Sequence, residues 1–166
     1  KAAPISITGI DISEKMLEIG KNKIKRKGLS DRIQLIKGDS ENMPFEDNTF
    51  DVAMVAFGVR NFTDPLKGLC EMKRVVRTGG MVLVLEFSKP VKFPFRQLYK
   101  FYFLKILPSI GRLFSGNEGA YKYLPESVMQ FPDNEKFMKL MNQAGLLHVN
   151  QKRLTAGVAS IYTGLK

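Results

Sequence analysis

An open α/β sheet, mostly parallel with an antiparallel pair at its C-terminal edge, is the fold class this sequence predicts. Strand-like and helix-like stretches alternate from residue 5 to residue 87, the order that builds parallel sheets. The runs at 51–57 and 81–87 are nearly continuous in apolar residues, as in strands covered by helices on both faces. The last two strand-like runs, 146–154 and 157–165, are joined only through Thr155-Ala156-Gly157, and so short a joint requires an antiparallel pair.

The elements follow in order. Residues 5–10 read as a strand. Residues 13–27 read as a helix with Ser13 as N-cap, Glu14 in the first turn and apolar Met16, Leu17, Ile19 and Ile24. Lys23, Lys25, Arg26 and Lys27 suit its negative end, and Gly28 is the natural residue just past it. A short alternating strand spans 32–37. A polar loop at 40–49 holds Pro44, Glu46 and Asp47. After the strand at 51–57, residues 65–76 form a helix with Asp64 as N-cap and Pro65 at the first position, where its missing N–H is no loss. Gly79-Gly80 predicts a turn into the strand at 81–87. Residues 89–125 break the rhythm, with Pro90, Pro94, Pro108 and Pro125 punctuating an aromatic and basic insertion that is partly helical. A helix near 134–144 is capped by Asp133 and ended by Gly145.

Composition narrows the class. At 166 residues the chain is one domain's worth, and its 44% hydrophobic and 25% charged content is ordinary for a globular protein. No run approaches the roughly 20 apolar residues of a membrane span. Lys1-Ala2-Ala3-Pro4 has no apolar core of a signal peptide, so the cytoplasm is the expected compartment. A lone cysteine, Cys70, excludes an intramolecular disulfide and any multi-cysteine metal site. With one cysteine and a lone histidine, His148, zinc chemistry is not expected, and His148 is expected to pack in a late strand. No metal is expected. The formal charge of +10 calls for an anionic partner, whether nucleic acid, a membrane surface or an acidic substrate, or belongs simply to a basic protein with no special partner.

The candidate site lies at four strand ends, where open α/β sheets place their ligands. Asp11 closes the first strand and Asp39 the second. Gly58-Val59-Arg60-Asn61-Phe62 follows the third, and Glu86-Phe87-Ser88 closes the fourth. Asp11 can accept from two ribose hydroxyls, or serve only as a partner to a helix dipole. Asp39 can accept from an exocyclic amine, or serve only to build its turn. Arg60 can supply a permanent cation, or pair with Asp64 four residues on.

An acid after one strand, Gly38-Asp39-Ser40-Glu41-Asn42-Met43-Pro44-Phe45 after the next, and Asn48-Thr49-Phe50-Asp51-Val52 before the third resemble the class I S-adenosylmethionine-dependent methyltransferases, whose sheet is Rossmann-like. Phe57-Gly58-Val59-Arg60-Asn61-Phe62, the run 68–75, Leu85-Glu86-Phe87-Ser88-Lys89-Pro90 and Ala120-Tyr121-Lys122-Tyr123-Leu124-Pro125-Glu126-Ser127 together resemble the ubiquinone/menaquinone biosynthesis C-methyltransferases. Phe131-Pro132 and the run 154–159 extend the match over nearly the whole chain. The resemblance implies one methyltransferase domain over 1–166, with the insertion at 89–125. It implies transfer of a methyl group from S-adenosylmethionine to a ring carbon of a polyprenylated quinol. Arg60 and Asn61 would be catalytic, Asp11, Asp39, Ser40 and Ala56 would bind the cofactor, and Tyr121 and Tyr123 would line the quinol pocket. Ala56 departs from relatives that carry serine there, and Ser40 from those with alanine. The family also carries a first strand and a Gly-rich loop ahead of where this chain opens. The expectation is therefore a fragment whose sheet lacks a central strand between those ending at Asp11 and Ala56, with impaired cofactor binding and little activity by itself. The stretch 93–105 is either a patch for an anionic membrane surface, at the inner face of the plasma membrane, or a helix covering the sheet. A homodimer is left open, and nucleic acid is not expected as a partner. The rival reading is a nucleic-acid methyltransferase or nucleic-acid-binding module, favoured by charge. Against it, no Asn/Asp-Pro-Pro-aromatic run follows 51–57. A nicotinamide enzyme would need a Gly-x-Gly-x-x-Gly run that the chain lacks.

Overall fold

The computed structural model describes residues 5–102, 106 and 118–166. The chain runs through β1 (Ile7–Asp11), α1 (Glu14–Arg26), β2 (Ile33–Lys37), β3 (Phe50–Ala56), a 3-10 turn (Val59–Asn61), α2 (Pro65–Val75) and β4 (Val76–Phe87). Then come α3 (Phe95–Phe101), α4 (Glu118–Gln130), α5 (Glu135–Gln143), β5 (Leu147–Leu154), a second 3-10 turn (Thr155–Gly157) and β6 (Ala159–Leu165).

Local chemistry sets most boundaries. Ser13 Oγ accepts the Met16 amide at 3.3 Å, and Gly28, at φ +64°, closes α1. Asp64 Oδ1 accepts the amides of Leu66 and Lys67 at 3.0 and 3.1 Å, satisfying two of the free donors of α2. One expected cap is overturned. Asp133 does not cap α5; Asn134, at φ +57°, precedes that helix without a side-chain cap. Asp133 turns instead to the end of β4, where Oδ2 accepts the Lys89 amide at 2.6 Å and Oδ1 lies 3.0 Å from Lys89 Nζ. A partly buried carboxylate gains more from an ammonium than from a helix end. The Gly79-Gly80 turn lies inside the span of β4. The ladder jumps from Phe50 opposite Val76 to Val52 opposite Met81, so 77–80 loop out with Gly79 at φ +77°. His148 is exposed rather than packed, because the ladder is irregular between Leu147 and Asn150 and its φ of +50° swings it outward.

The strands form two ladders. β1 pairs β2 in parallel, and a four-stranded sheet has the order β3-β4-β6-β5. β3 and β4 are parallel, while β6 is antiparallel to both β4 and β5. β6 is thus the one reversed strand, and β5 runs in the common direction. Among the described residues β1 pairs only with β2, and β3 only with β4. The main core lies where α2 and α5 cover the larger sheet. Phe137 is fully buried there, with its ring centroid 5.0 Å from that of Phe131 and 4.8 Å from that of Tyr162. Each such side chain contributes about 2 kcal/mol by leaving water. Gly68 lets α2 approach the strand-end turn, since a Cβ there would run into the Phe62 ring.

Candidate functional site

The turn after β3 is the most constrained part of the site. Phe57 sits at φ +55°, a costly conformation for a bulky residue, and its amide still completes the ladder by donating to the Leu85 carbonyl at 2.8 Å. Its ring packs on Phe87 with centroids 4.7 Å apart. Arg60, on the 3-10 turn, does not pair with Asp64, which is committed to capping α2. It pairs with Glu86, Nη1 to Oε1 at 2.7 Å, and Nη1 also donates to the Phe57 carbonyl at 2.6 Å. The guanidinium lies 5.4 Å from the Phe87 ring centroid, within cation–π range. The Arg60 side chain is 11% exposed and Glu86 is fully enclosed. Arg60 Nε is buried and has no acceptor among the described residues. A buried donor without a partner is uncommon in a folded protein.

Asp11 and Asp39 end adjacent parallel strands, since Asp11 stands opposite Lys37 in the β1–β2 ladder. Both adopt the same local geometry. Asp11 Oδ1 accepts the Ser13 amide at 2.8 Å, and Asp39 Oδ1 accepts the Glu41 amide at 2.8 Å. These Asx turns fix each carboxylate's direction, and among the described residues no contact to either Oδ2 is seen. Ser40 is half-buried beside Asp39, and Ala56 is exposed at the end of β3.

Side-chain contacts tie the Asp39 loop to the rest. Glu41 Oε1 accepts the amides of Thr63 and Asp64 at 2.6 and 3.2 Å, linking the loops after β2 and β3. Arg74 binds Glu71 through two parallel bonds, Nε to Oε1 at 2.7 Å and Nη2 to Oε2 at 2.8 Å. The same guanidinium donates to the carbonyls of Phe45 and Met43 at 2.7 and 3.0 Å, and meets Asp47 at 2.8 Å. Arg74 holds the Glu71 carboxyl below its usual range, and Glu71 and Asp47 push the guanidinium further up. Sequence reasoning missed both Glu41 and Arg74. Their signal was weak: a polar loop and a helix face, each ordinary alone.

The opposite wall comes from α4. Tyr123 donates its hydroxyl to Asn61 Oδ1 at 2.8 Å, and a cleft of about 270 Å³ is lined by Arg60, Tyr123, Glu126, Ser127, Gln130 and Phe131. Tyr121 lies on α4, its side chain outside the described set. A second cleft of about 280 Å³ lies beside it, lined by Pro90, Val91, Arg96, Tyr99 and Met129 over the Lys89–Asp133 pair. α3 forms its outer side. Tyr99 is buried with Val128, whereas Phe93, Phe95, Leu98 and Phe101 are exposed. Of the aromatic and basic stretch, Phe103 and Lys105 lie outside the described residues.

The element order, the single reversed strand and the strand-end carboxylates define a class I methyltransferase domain. The fold matches that of a SAM-dependent methyltransferase from Thermotoga maritima, with TM-score 0.66 at 19% identity over 100% of this chain and 84% of that one. It also matches a SAM-dependent methyltransferase from Aquifex aeolicus, with TM-score 0.62 at 18% identity over 96% and 68%. In sequence, the chain is 46% identical over 164 residues to a ubiquinone/menaquinone biosynthesis C-methyltransferase UbiE of Geobacter sp. (strain M21), covering 99% of this chain and 69% of that protein. It is 40% identical over 163 residues to a demethylmenaquinone methyltransferase of Bacteroides fragilis (strain ATCC 25285), covering 98% and 66%. The model of the ubiE/COQ5 methyltransferase family matches residues 2–166, and the chain belongs to that family.

Proposed function

We propose that this methyltransferase uses Arg60 and Asn61 to methylate the ring of a polyprenylated quinol in the cleft beneath α4. Membership of the family makes S-adenosylmethionine the methyl donor and quinone biosynthesis the setting. The observation that supports the catalytic reading is the buried, unpartnered Nε of Arg60 in the wall of a polar cleft. When bound, S-adenosylmethionine supplies an electrophilic methyl group. The chain's residues fit it: Asp11 and Asp39, each held by an Asx turn through Oδ1, would hold the ribose hydroxyls and the adenine amine, with Ser40 and Ala56 beside them. Arg60 then faces the quinol oxygen and favours its phenolate form; that charge flows into the ring carbon as the carbon takes the methyl group and the sulfonium leaves as a neutral thioether, and the hydroxyl and ring protons pass to water. Asn61, fixed by Tyr123, orients the ring.

Calorimetric titration tests the cofactor half, on the protein expressed from its full reading frame. Asp11→Asn and Asp39→Asn are each expected to weaken S-adenosylmethionine binding about 10- to 100-fold, the loss of a hydrogen bond to a charged group. Unchanged affinity in both would remove the strand-end carboxylates from the cofactor site.

The exposed face of α3 suits a membrane surface, where such a quinol resides. Phe95, Leu98 and Phe101 recur along one side of the helix, and Phe93, 80% exposed, precedes it. From residue 88 to residue 117 there are six lysines and arginines and no acid. An apolar face among cations binds an anionic bilayer by burial and by charge. No helix among the described residues is long and apolar enough to cross a membrane. Flotation with vesicles containing anionic lipid is expected to carry the protein upward. Zwitterionic vesicles, or the F93A/L98A/F101A variant, should leave most of it below; equal flotation of all would exclude this face.

A further inference from the structure

We infer that Glu86 is a positioning residue for methyl transfer, acting through Arg60. The inference rests on the reading above in one respect, that Arg60 meets the quinol. Along β4, alternate residues share a face, and Val82, Val84 and Glu86 are buried in one row, with Ser88 next in line. The row is apolar until a fully enclosed carboxylate interrupts it. A buried carboxylate is tolerable only when donors surround it. Glu86 has three: Arg60 Nη1 at 2.7 Å and the Phe87 amide at 2.9 Å on Oε1, and the Arg60 amide at 3.3 Å on Oε2.

Two of those three donors belong to Arg60, so one carboxylate fixes both its backbone and its side chain. The same Nη1 holds the Phe57 carbonyl, which closes the strained turn upon itself. The guanidinium is thereby pinned against the Phe87 ring with its Nε edge unpaired. Core stability does not call for this arrangement, since an apolar pair of similar volume in place of a buried ion pair is often neutral or stabilising. What the pair does supply is a fixed direction for one cation at the end of β3. Glu86 itself is completely enclosed and cannot touch the quinol, so it is neither the proton acceptor nor a binding group.

The test uses the protein from its full reading frame, with E86Q, R60Q and the double variant. E86Q keeps shape and loses charge. Its kcat is expected to fall about 100-fold, as when a catalytic group is displaced by about 1 Å, with cofactor affinity unchanged. The double variant is expected to be no slower than R60Q alone, because the effect passes through Arg60. Amide hydrogen exchange gives a readout independent of turnover: E86Q should speed exchange at residues 59–61 while Val82 and Val84 keep their protection. Additive losses in the double variant, unchanged kcat in E86Q, or exchange quickened along all of β4 would each overturn the inference. If E86Q is recovered only unfolded, E86D decides: it keeps the charge, withdraws it by one methylene, and must lower kcat in a folded protein. A wild-type protein without quinol methylation would remove the functional reading, whereas an active wild type indifferent to E86Q removes only the role of Glu86.

Discussion

Arg74→Ala is expected to destabilise the protein by about 2–3 kcal/mol and to loosen the loop carrying Asp39. The substitution removes a two-bond pair with Glu71 and the donors to two backbone carbonyls, Met43 and Phe45. The Arg74 side chain is 30% exposed, so water takes over part of what is lost and the figure stays below that of a fully buried pair. Arg74→Lys should recover little, because an ammonium cannot make two parallel bonds to Glu71 while also reaching both carbonyls. The effect has a pH dependence of known sign. Hydrogen bonding from Arg74 lowers the Glu71 pKa below its ordinary 4.5. The folded state therefore binds that proton less readily than the unfolded chain, and the contribution is fully present above 4.5 and lost as pH falls through the lower folded value. Denaturant melts at neutral pH and through the acid range check both points. Glu71→Gln should flatten the acid limb, and an Arg74→Ala midpoint equal to wild type would show that the clamp holds nothing. Affinity for S-adenosylmethionine should fall with the same variant, because the 43–47 segment follows directly on the Asp39 turn.

Local rules were enough for much of this fold and failed where a distant partner competed. Ser13 and Asp64 cap their helices as their positions predict, because a cap is settled within a few residues. Asp133 obeys the same local rule and does not cap, because Lys89, 44 residues away, offers a charge-assisted bond that no window around 133–144 contains. Arg60 repeats the lesson inside the site. Asp64 is four residues on and looks like its partner; Glu86 is 26 residues away and is the partner. Only the β3–β4 register, with Ala56 opposite Leu85, brings the turn after β3 beside Glu86. The clue was present in one form: an acid closing the apolar run 81–85 must find a cation or be exposed. Asp11 and Asp39 were legible as a pair because each follows a strand-like run, and their matching Asx turns are short-range features. Glu41, whose carboxylate bridges two strand-end loops, was not, since nothing in a polar loop distinguishes a bridging acid from a solvated one.

Arg60→Ala is expected to lower turnover about 100- to 1,000-fold with cofactor affinity close to wild type, the scale seen when one preorganised donor to an oxyanion, here the reacting phenolate, is removed. The separation follows from the contacts. Arg60 is held by Glu86 and the Phe57 carbonyl, while the proposed cofactor contacts are Asp11 and Asp39 at the ends of β1 and β2. The variant also leaves Glu86 buried without its cation, so a thermal melt must accompany the kinetics and Arg60→Gln serves as the milder comparison. Arg60→Lys separates charge from shape: an ammonium could still face Glu86, but a point charge cannot occupy the planar position over Phe87 while holding the Phe57 carbonyl. If charge near the quinol oxygen is what matters, lysine should recover a measurable part of the rate and glutamine none. If the planar fork matters, both should be equally slow. Near-wild-type turnover in a folded Arg60→Ala protein would take Arg60 out of the chemistry and leave it as a strut for the turn.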